Sequence, residues 1–169
     1  MSKILLVDDD QDLADLIKAK LSSVGHEVVT HHTGEGAFEL AKRYKPDIAI
    51  LDIMLPGVTG YQICRRLRKD PELYRIGILI LTALGEEPEI MHGLEQGADD
   101  YLAKPFRLEH LVEKITGLQE LLESISQRNL ITDLPGTEAV KREINHRLAR
   151  GMAISACYID IVGFKPYCA

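Results

Sequence analysis

Short continuous apolar runs alternate along this chain with segments whose apolar residues recur every three or four positions. The runs are Lys3–Val7 (KILLV), Glu27–His31 (EVVTH), Asp47–Leu51 (DIAIL), Ile76–Leu81 (IGILIL) and the short Asp100–Ala103. KILLV and IGILIL carry almost no polar residue, as strands covered on both faces require. Between the runs, Asp12–Val24 sets Leu13, Leu16, Ile17, Leu21 and Val24 on one helical face, and Gly25 ends it. Gly34–Tyr44, Thr59–Lys69 (stopped before Pro71) and Glu87–Gln96 read as further helices, and a long helix starts at Arg107. Five strand–helix repeats predict an α/β fold: a doubly wound five-stranded parallel sheet, helices on both faces, with a long C-terminal helix.

In such sheets the functional crevice lies beyond the carboxyl ends of the strands. The first strand is followed there by Asp8, Asp9 and Asp10, the third by Asp52, the fourth by Thr82-Ala83 and the fifth by Lys104-Pro105. Four strand ends therefore bring carboxylates, a hydroxyl and an ammonium to one rim. No glycine-rich phosphate loop follows the first strand, which argues against a dinucleotide or P-loop site. Clustered carboxylates repel unless a cation neutralises them, and an all-oxygen donor set favours a hard ion such as Mg²⁺. Asp52 beside such an ion is a candidate nucleophile that would form an aspartyl phosphate. Lys104 and the Thr82 hydroxyl would meet the phosphate oxygens. Asp10 reads instead as an acid at a helix N-terminus.

Composition narrows the classes. The chain has 169 residues, 46% hydrophobic and 27% charged, a globular balance with no apolar run long enough for a membrane helix. MSKILLVDDD does not read as a signal peptide, so a cytoplasmic location and no membrane partner are expected. Cys64, Cys157 and Cys168 lack CxxC spacing and read as thiols in a reducing compartment. His31-His32 is the only histidine cluster, and strand neighbours point to opposite faces, so the pair should not share an ion. The net charge of −6 divides into −8 on residues 1–125 and +2 on 126–169. An acidic main domain suits a phosphate backbone poorly, and no direct nucleic-acid partner is expected.

The stretches ILLVDDD, DIAILDIMLPGVTGYQICRRLR, ILILTAL and GADDYLAKPF together resemble the receiver domain of two-component response regulators, over residues 3–123. The resemblance implies the flavodoxin-like receiver fold and a Mg²⁺-dependent phosphoryl acceptor rather than an enzyme. It implies that Asp52 takes the phosphoryl group, that Asp8, Asp9 and Asp52 with the Met54 backbone carbonyl bind Mg²⁺, and that Thr82, the Ala83 amide and Lys104 sense the phosphate. Tyr101 matches the switch aromatic, and Lys104-Pro105 the cis peptide of the fold. The implied partner is a cognate histidine kinase or phosphotransfer protein. A homodimer through the face of the fourth helix, fifth strand and fifth helix and through the connector helix is left open. Met54 and Leu84 are apolar where receivers border the path of the hydrolytic water, which predicts slow self-dephosphorylation.

After Phe106, Leu108, Leu111, Ile115, Leu118, Leu122 and Ile125 follow heptad spacing. The first half of this stripe should pack on the sheet, and the second is expected to project as a connector, giving a receiver over 1–123, a long helix over 107–128 and a partial output segment over 129–169. Within that segment, TDLPG, a helix from Thr137 to about Ala149, and a strand with YIDIVGFK resemble the opening of a diguanylate cyclase (GGDEF) domain. Asp160 matches a metal-binding acid of that family. Val162 stands where a second acid is common, Cys168 and Ala169 where Asn and Asp are usual, and the 169 residues contain no GGDEF loop. Asp160 is therefore a degenerate output-site candidate and no cyclase activity is expected of these residues. The alternatives are a receiver-linked cyclase whose catalytic part lies elsewhere, and a non-catalytic dimerisation or scaffold module.

Overall fold

A computed structural model describes residues 1–83 and 97–127 and the isolated Ile144, with side chains through Glu123. The chain divides into two units, Met1–Glu123 and Ser124–Ala169. The predicted fourth helix, Glu87–Gln96, together with Leu84 and Asp160, lies outside the described residues, as does the rest of the 129–169 segment apart from Ile144.

The first unit holds β1 (Lys3–Val7), α1 (Gln11–Ser23), β2 (Glu27–His31), α2 (Ala37–Tyr44), β3 (Ile48–Asp52), α3 (Gly60–Lys69), β4 (Gly77–Ala83), β5 (Asp100–Lys104) and α4, the C-terminal helix Leu108–Gln127. The five strands form one sheet in the order β2-β1-β3-β4-β5, and each neighbouring pair is parallel. Parallel strands need crossovers, and helices on two faces explain why the strands carry apolar residues at successive positions.

Alternation within each strand divides the core into two layers. Leu5, Val7, Ala49, Leu51, Ile78 and Ile80 face Ala37 and Ala41 of α2 and Ile63, Cys64 and Leu67 of α3. Ile4, Leu6, Ile48, Ile50, Leu79 and Leu81 face Ala14, Ile17 and Leu21 of α1 and Leu111, Ile115 and Leu118 of α4.

Several boundaries differ from the sequence reading. α2 starts at Ala37, not Gly34, because Gly36 takes φ +79° and a Cβ at Gly34 would lie 1.7 Å from the Val58 carbonyl oxygen. The β2–α2 connection is thus pressed against the β3–α3 loop, where only glycine fits. On α1, Leu16 is 58% exposed and Val24 is also exposed, while Ala14 is buried. The sheet-facing stripe runs through Ala14, Ile17 and Leu21, because the short side chain lets the helix approach the strands.

The heptad stripe on α4 is used by the receiver's own sheet further along than expected. Leu118 is buried and Leu122 packs on the same layer, its Cδ1 3.2 Å from where a Gly77 Cβ would stand. Leu121 is the exposed apolar residue there. No helix among the described residues is long and apolar enough to cross a membrane.

Candidate functional site at the carboxyl edge of the sheet

The strands run further than their apolar runs suggest, and the candidate residues occupy the last rungs. Asp52 pairs with Leu81, Thr82 with Ala103, and Ala83 with Lys104. A ladder rung fixes a side chain far better than a loop does, so Asp52, Thr82 and Lys104 sit on the rigid edge of the sheet rather than beyond it.

Asp8 follows β1 directly, is fully buried and donates its N–H to the His31 carbonyl at 3.1 Å. Its Oδ1 accepts the Asp10 N–H at 3.0 Å. Asp10 caps α1 by accepting the Leu13 N–H at 3.0 Å, the helix-end role its position suggested. Asp9, between them, is exposed.

Asp52 is 5% exposed, and its Oδ1 accepts the Met54 N–H at 3.0 Å. The chain turns sharply after it. Ile53 N–H donates to the Leu81 carbonyl, and Gly60 N–H returns to the Ile53 carbonyl. A Cβ on Gly60 would stand 2.2 Å from the Asp52 carbonyl oxygen, so the N-terminus of α3 can close on Asp52 only through glycine. Thr59 completes that helix start with a capping box to Gln62.

Lys104 joins the acids. Its Nζ donates to Asp8 Oδ2 at 2.8 Å and to Asp52 Oδ2 at 2.5 Å, and the following Lys104-Pro105 bond is cis. Burial pushes the Asp8 carboxyl above its ordinary value, opposed by the Lys104 and Asp10 hydrogen bonds. Burial alone would lower the Lys104 ammonium, but its hydrogen bonds to Asp52 and Asp8 outweigh that and hold it above its ordinary value. One ammonium between two carboxylates, with Asp9 alongside, leaves an excess of negative charge.

Carboxylate oxygens of Asp8, Asp9 and Asp52 lie within 4.8 Å of one another. This all-oxygen set, short of positive charge, fits a hard divalent ion such as Mg²⁺. Thr82 is 4% exposed and its hydroxyl donates to the Ala83 carbonyl at 3.1 Å. Tyr101, on the edge strand β5, is 37% exposed, with the Lys114 ammonium 5.7 Å from its ring centre. The Met54 side chain is 72% exposed.

Sequence reasoning missed two residues. His32 places its ring Nδ1 3.1 Å from the Asp8 carbonyl oxygen. The β1–β2 register pairs Val7 with His31, and one further rung sets His32 beside Asp8, which is the signal that could have found it. Arg68, at the end of α3, donates to the carbonyls of Gly97, Tyr74 and Ile76 and pairs with Asp99 at 2.6 Å, tying the approach to β5 to the turn before β4.

The fold and the site define an open parallel α/β sheet whose carboxyl edge gathers an acid cluster, a hydroxyl and a lysine. The model of the response regulator receiver domain matches residues 4–116, and the chain belongs to this family. It is 39% identical over 127 residues to the DNA-binding dual master transcriptional regulator RpaA of Synechocystis, covering 75% of this chain and 53% of that protein. It is 43% identical over 118 residues to the phosphate regulon transcriptional regulatory protein PhoB of Rhizobium meliloti, covering 70% and 52%. A solved response regulator structure from Chloroflexus aurantiacus is 38% identical with a TM-score of 0.68, covering 70% of this chain and 98% of that one. The chain spans about half the length of the curated relatives it matches.

Proposed function

We propose that Asp52 is the phosphoryl acceptor of this receiver, taking the group from a phosphohistidine of a cognate histidine kinase or phosphotransfer protein, or from a small acyl phosphate. A carboxylate oxygen of Asp52 attacks phosphorus, the bond from phosphorus to the donor breaks, and the donor leaves with its electron pair. The observation that carries this reading is the placing of Asp52: buried, last in β3, with one oxygen on the Met54 N–H and the other on Lys104.

Asp8, Asp9 and Asp52 with the Met54 carbonyl would hold Mg²⁺, which would supply charge neutralisation for the incoming phosphoryl group. Lys104 already spans Asp8 and Asp52, so a small shift of its ammonium would meet a phosphate oxygen without a new charge entering the site. The Thr82 hydroxyl, now on the Ala83 carbonyl, would turn to another oxygen, with the Ala83 amide beside it. Thr82 and Tyr101 are thereby coupled, and phosphorylation shifts the balance between two receiver states. An exposed Tyr101 is what the unphosphorylated state of such a switch requires.

The domain reading is a receiver over 1–123, a helix over 107–128 that carries the change onward, and an output segment over 129–169 that resembles the start of a GGDEF domain in TDLPG and YIDIVGFK. RpaA and PhoB are by name transcriptional regulators, and RpaA is named as DNA-binding, but the match covers about half of each. The output of this chain is therefore read as a switched partner or domain. Incubation with GTP and Mg²⁺ is expected to give no cyclic dinucleotide.

The test of the acceptor is the intact mass after incubation with an acyl phosphate and Mg²⁺. A gain of one phosphoryl group that disappears in Asp52→Asn supports the reading, and a gain that survives the substitution overturns it. The bound phosphate should decay slowly, because the apolar Met54 side chain cannot hydrogen-bond an attacking water; loss within seconds would contradict that.

A further inference from the structure

His32 stands outside the acid cluster yet is bound to it. Its Nδ1 lies 3.1 Å from the Asp8 backbone carbonyl. A carbonyl only accepts, so Nδ1 carries the proton and donates. The Asp8 N–H in turn donates to the His31 carbonyl at 3.1 Å. His31, the last residue of the edge strand β2, and His32, just beyond it, thus hold both backbone polar groups of Asp8, His31 with its main chain and His32 with its ring.

Asp8 itself gains little from the ring. Its carboxylate is buried and fixed at both oxygens, by the Asp10 N–H and by Lys104. Asp9 differs. It is exposed, and among the described residues no hydrogen bond or ion pair holds its carboxylate. The Asp8 carbonyl and the Asp9 amide share one rigid peptide plane. A ring that fixes the carbonyl fixes the tilt of that plane, and with the next plane held by the Asp10 N–H on Asp8 Oδ1, the direction in which the Asp9 side chain leaves the backbone is set. The Asp9 carboxylate nonetheless comes within 4.8 Å of those of Asp8 and Asp52.

We infer that His32 is a positioning residue for the divalent-cation site: its ring locks the Asp8–Asp9 peptide so that the Asp9 carboxylate stays in reach of the ion. This rests on the reading of Asp8, Asp9 and Asp52 as cation ligands. Outer partners that orient metal ligands typically change affinity by about 10- to 100-fold when removed. The effect belongs to binding, so it reads out without any phosphoryl transfer.

The experiment is calorimetric titration of the full chain with Mg²⁺ alone, for wild type, His32→Leu, His32→Asn, His32→Gln and Asp9→Asn, with a urea midpoint for each in Mg²⁺-free buffer. The Asn amide can donate from roughly the Nδ1 position, whereas the Gln amide reaches past it. His32→Asn should stay within about threefold of wild type, while His32→Leu and His32→Gln should bind about tenfold or more weakly. The three His32 variants should have similar urea midpoints, so affinity separates them where stability does not. Wild-type affinity in both His32→Leu and His32→Gln, or an affinity loss that merely follows the lost stability across all three variants, overturns the inference while leaving the cation site standing. If wild type and Asp9→Asn titrate identically, the cation reading itself fails and this inference falls with it. Should His32→Leu not fold, the contrast between His32→Asn and His32→Gln decides the question.

Discussion

Replacing Lys104 with methionine keeps an unbranched side chain and removes the ammonium between Asp8 and Asp52. The two hydrogen bonds lost are 2.8 and 2.5 Å long, and both carboxylates are largely shielded, at 0% and 8% side-chain exposure. Removing one partner of a buried ion pair typically costs about 3–5 kcal/mol. The Lys104 side chain is 24% exposed, so water reaches the site from that side and the loss should fall at or below the bottom of that range, roughly 2–3 kcal/mol. With a urea slope of about 1–3 kcal/mol per molar, the midpoint should fall by about 1 M or more at neutral pH.

The sign of the pH dependence follows from Asp8. Its folded carboxyl is already above the ordinary value, and Lys104 is among the groups holding it down. Without Lys104 it rises further, and the folded state takes up protons more readily than the unfolded chain. The loss in Lys104→Met should therefore shrink as pH is lowered from neutral toward 5. In the wild type, Lys104 is raised above an ordinary value of 10.5, so its own stabilisation is complete throughout that window and lost only in stronger alkali. Saturating Mg²⁺ should recover more stability in the variant than in the wild type, because the ion replaces the missing charge. Urea unfolding at two pH values, with and without Mg²⁺, reads all of this. A loss below about 0.5 kcal/mol, or one that does not diminish at the lower pH, would refute the reasoning.

Asp8→Asn should raise the unfolding free energy in Mg²⁺-free urea titrations by roughly 0.5–2 kcal/mol, since it removes an acid that burial disfavours, and should abolish Mg²⁺ binding in calorimetry. Gly60→Ala brings a Cβ against the Asp52 carbonyl, and overpacking of this kind should lower stability by about 1–3 kcal/mol in denaturant unfolding and slow acyl-phosphate labelling. Arg68→Met strips donors from three carbonyls and from Asp99, with an expected loss of about 3 kcal/mol and faster hydrogen exchange at Asp99 and Ile78, which form a mutual pair beside it.

The fold was legible because its strongest signal, continuous apolar strands alternating with amphipathic helices, comes from burial on two faces. The site was legible because parallel strands deliver their carboxyl ends to one rim. Strand ends were not. Asp52, Thr82 and Lys104 are polar and read as loop residues, yet ladder pairing with Leu81, Ala103 and Ala83 carries the sheet through them. The stripe on α4 was ambiguous for a different reason: packing on one's own sheet and packing on a second helix ask for the same spacing, and only the contact of Leu122 beside Gly77 shows the sheet using it. Leu16 misled because periodicity does not tell a large side chain at the margin of a face from a small one, Ala14, at its centre. His32 escaped because its contact crosses between strands and is visible only once the β1–β2 register is worked out.

The central claim is that Asp52, not one of its acidic neighbours, carries the phosphoryl group. Borohydride reduces an acyl phosphate of aspartate to homoserine, so treatment after acyl-phosphate labelling followed by peptide mass mapping names the residue directly. The account predicts homoserine at position 52 and nowhere else, dependent on Mg²⁺. Homoserine at position 8 or 9, or an unmodified position 52 in a labelled protein, would contradict it.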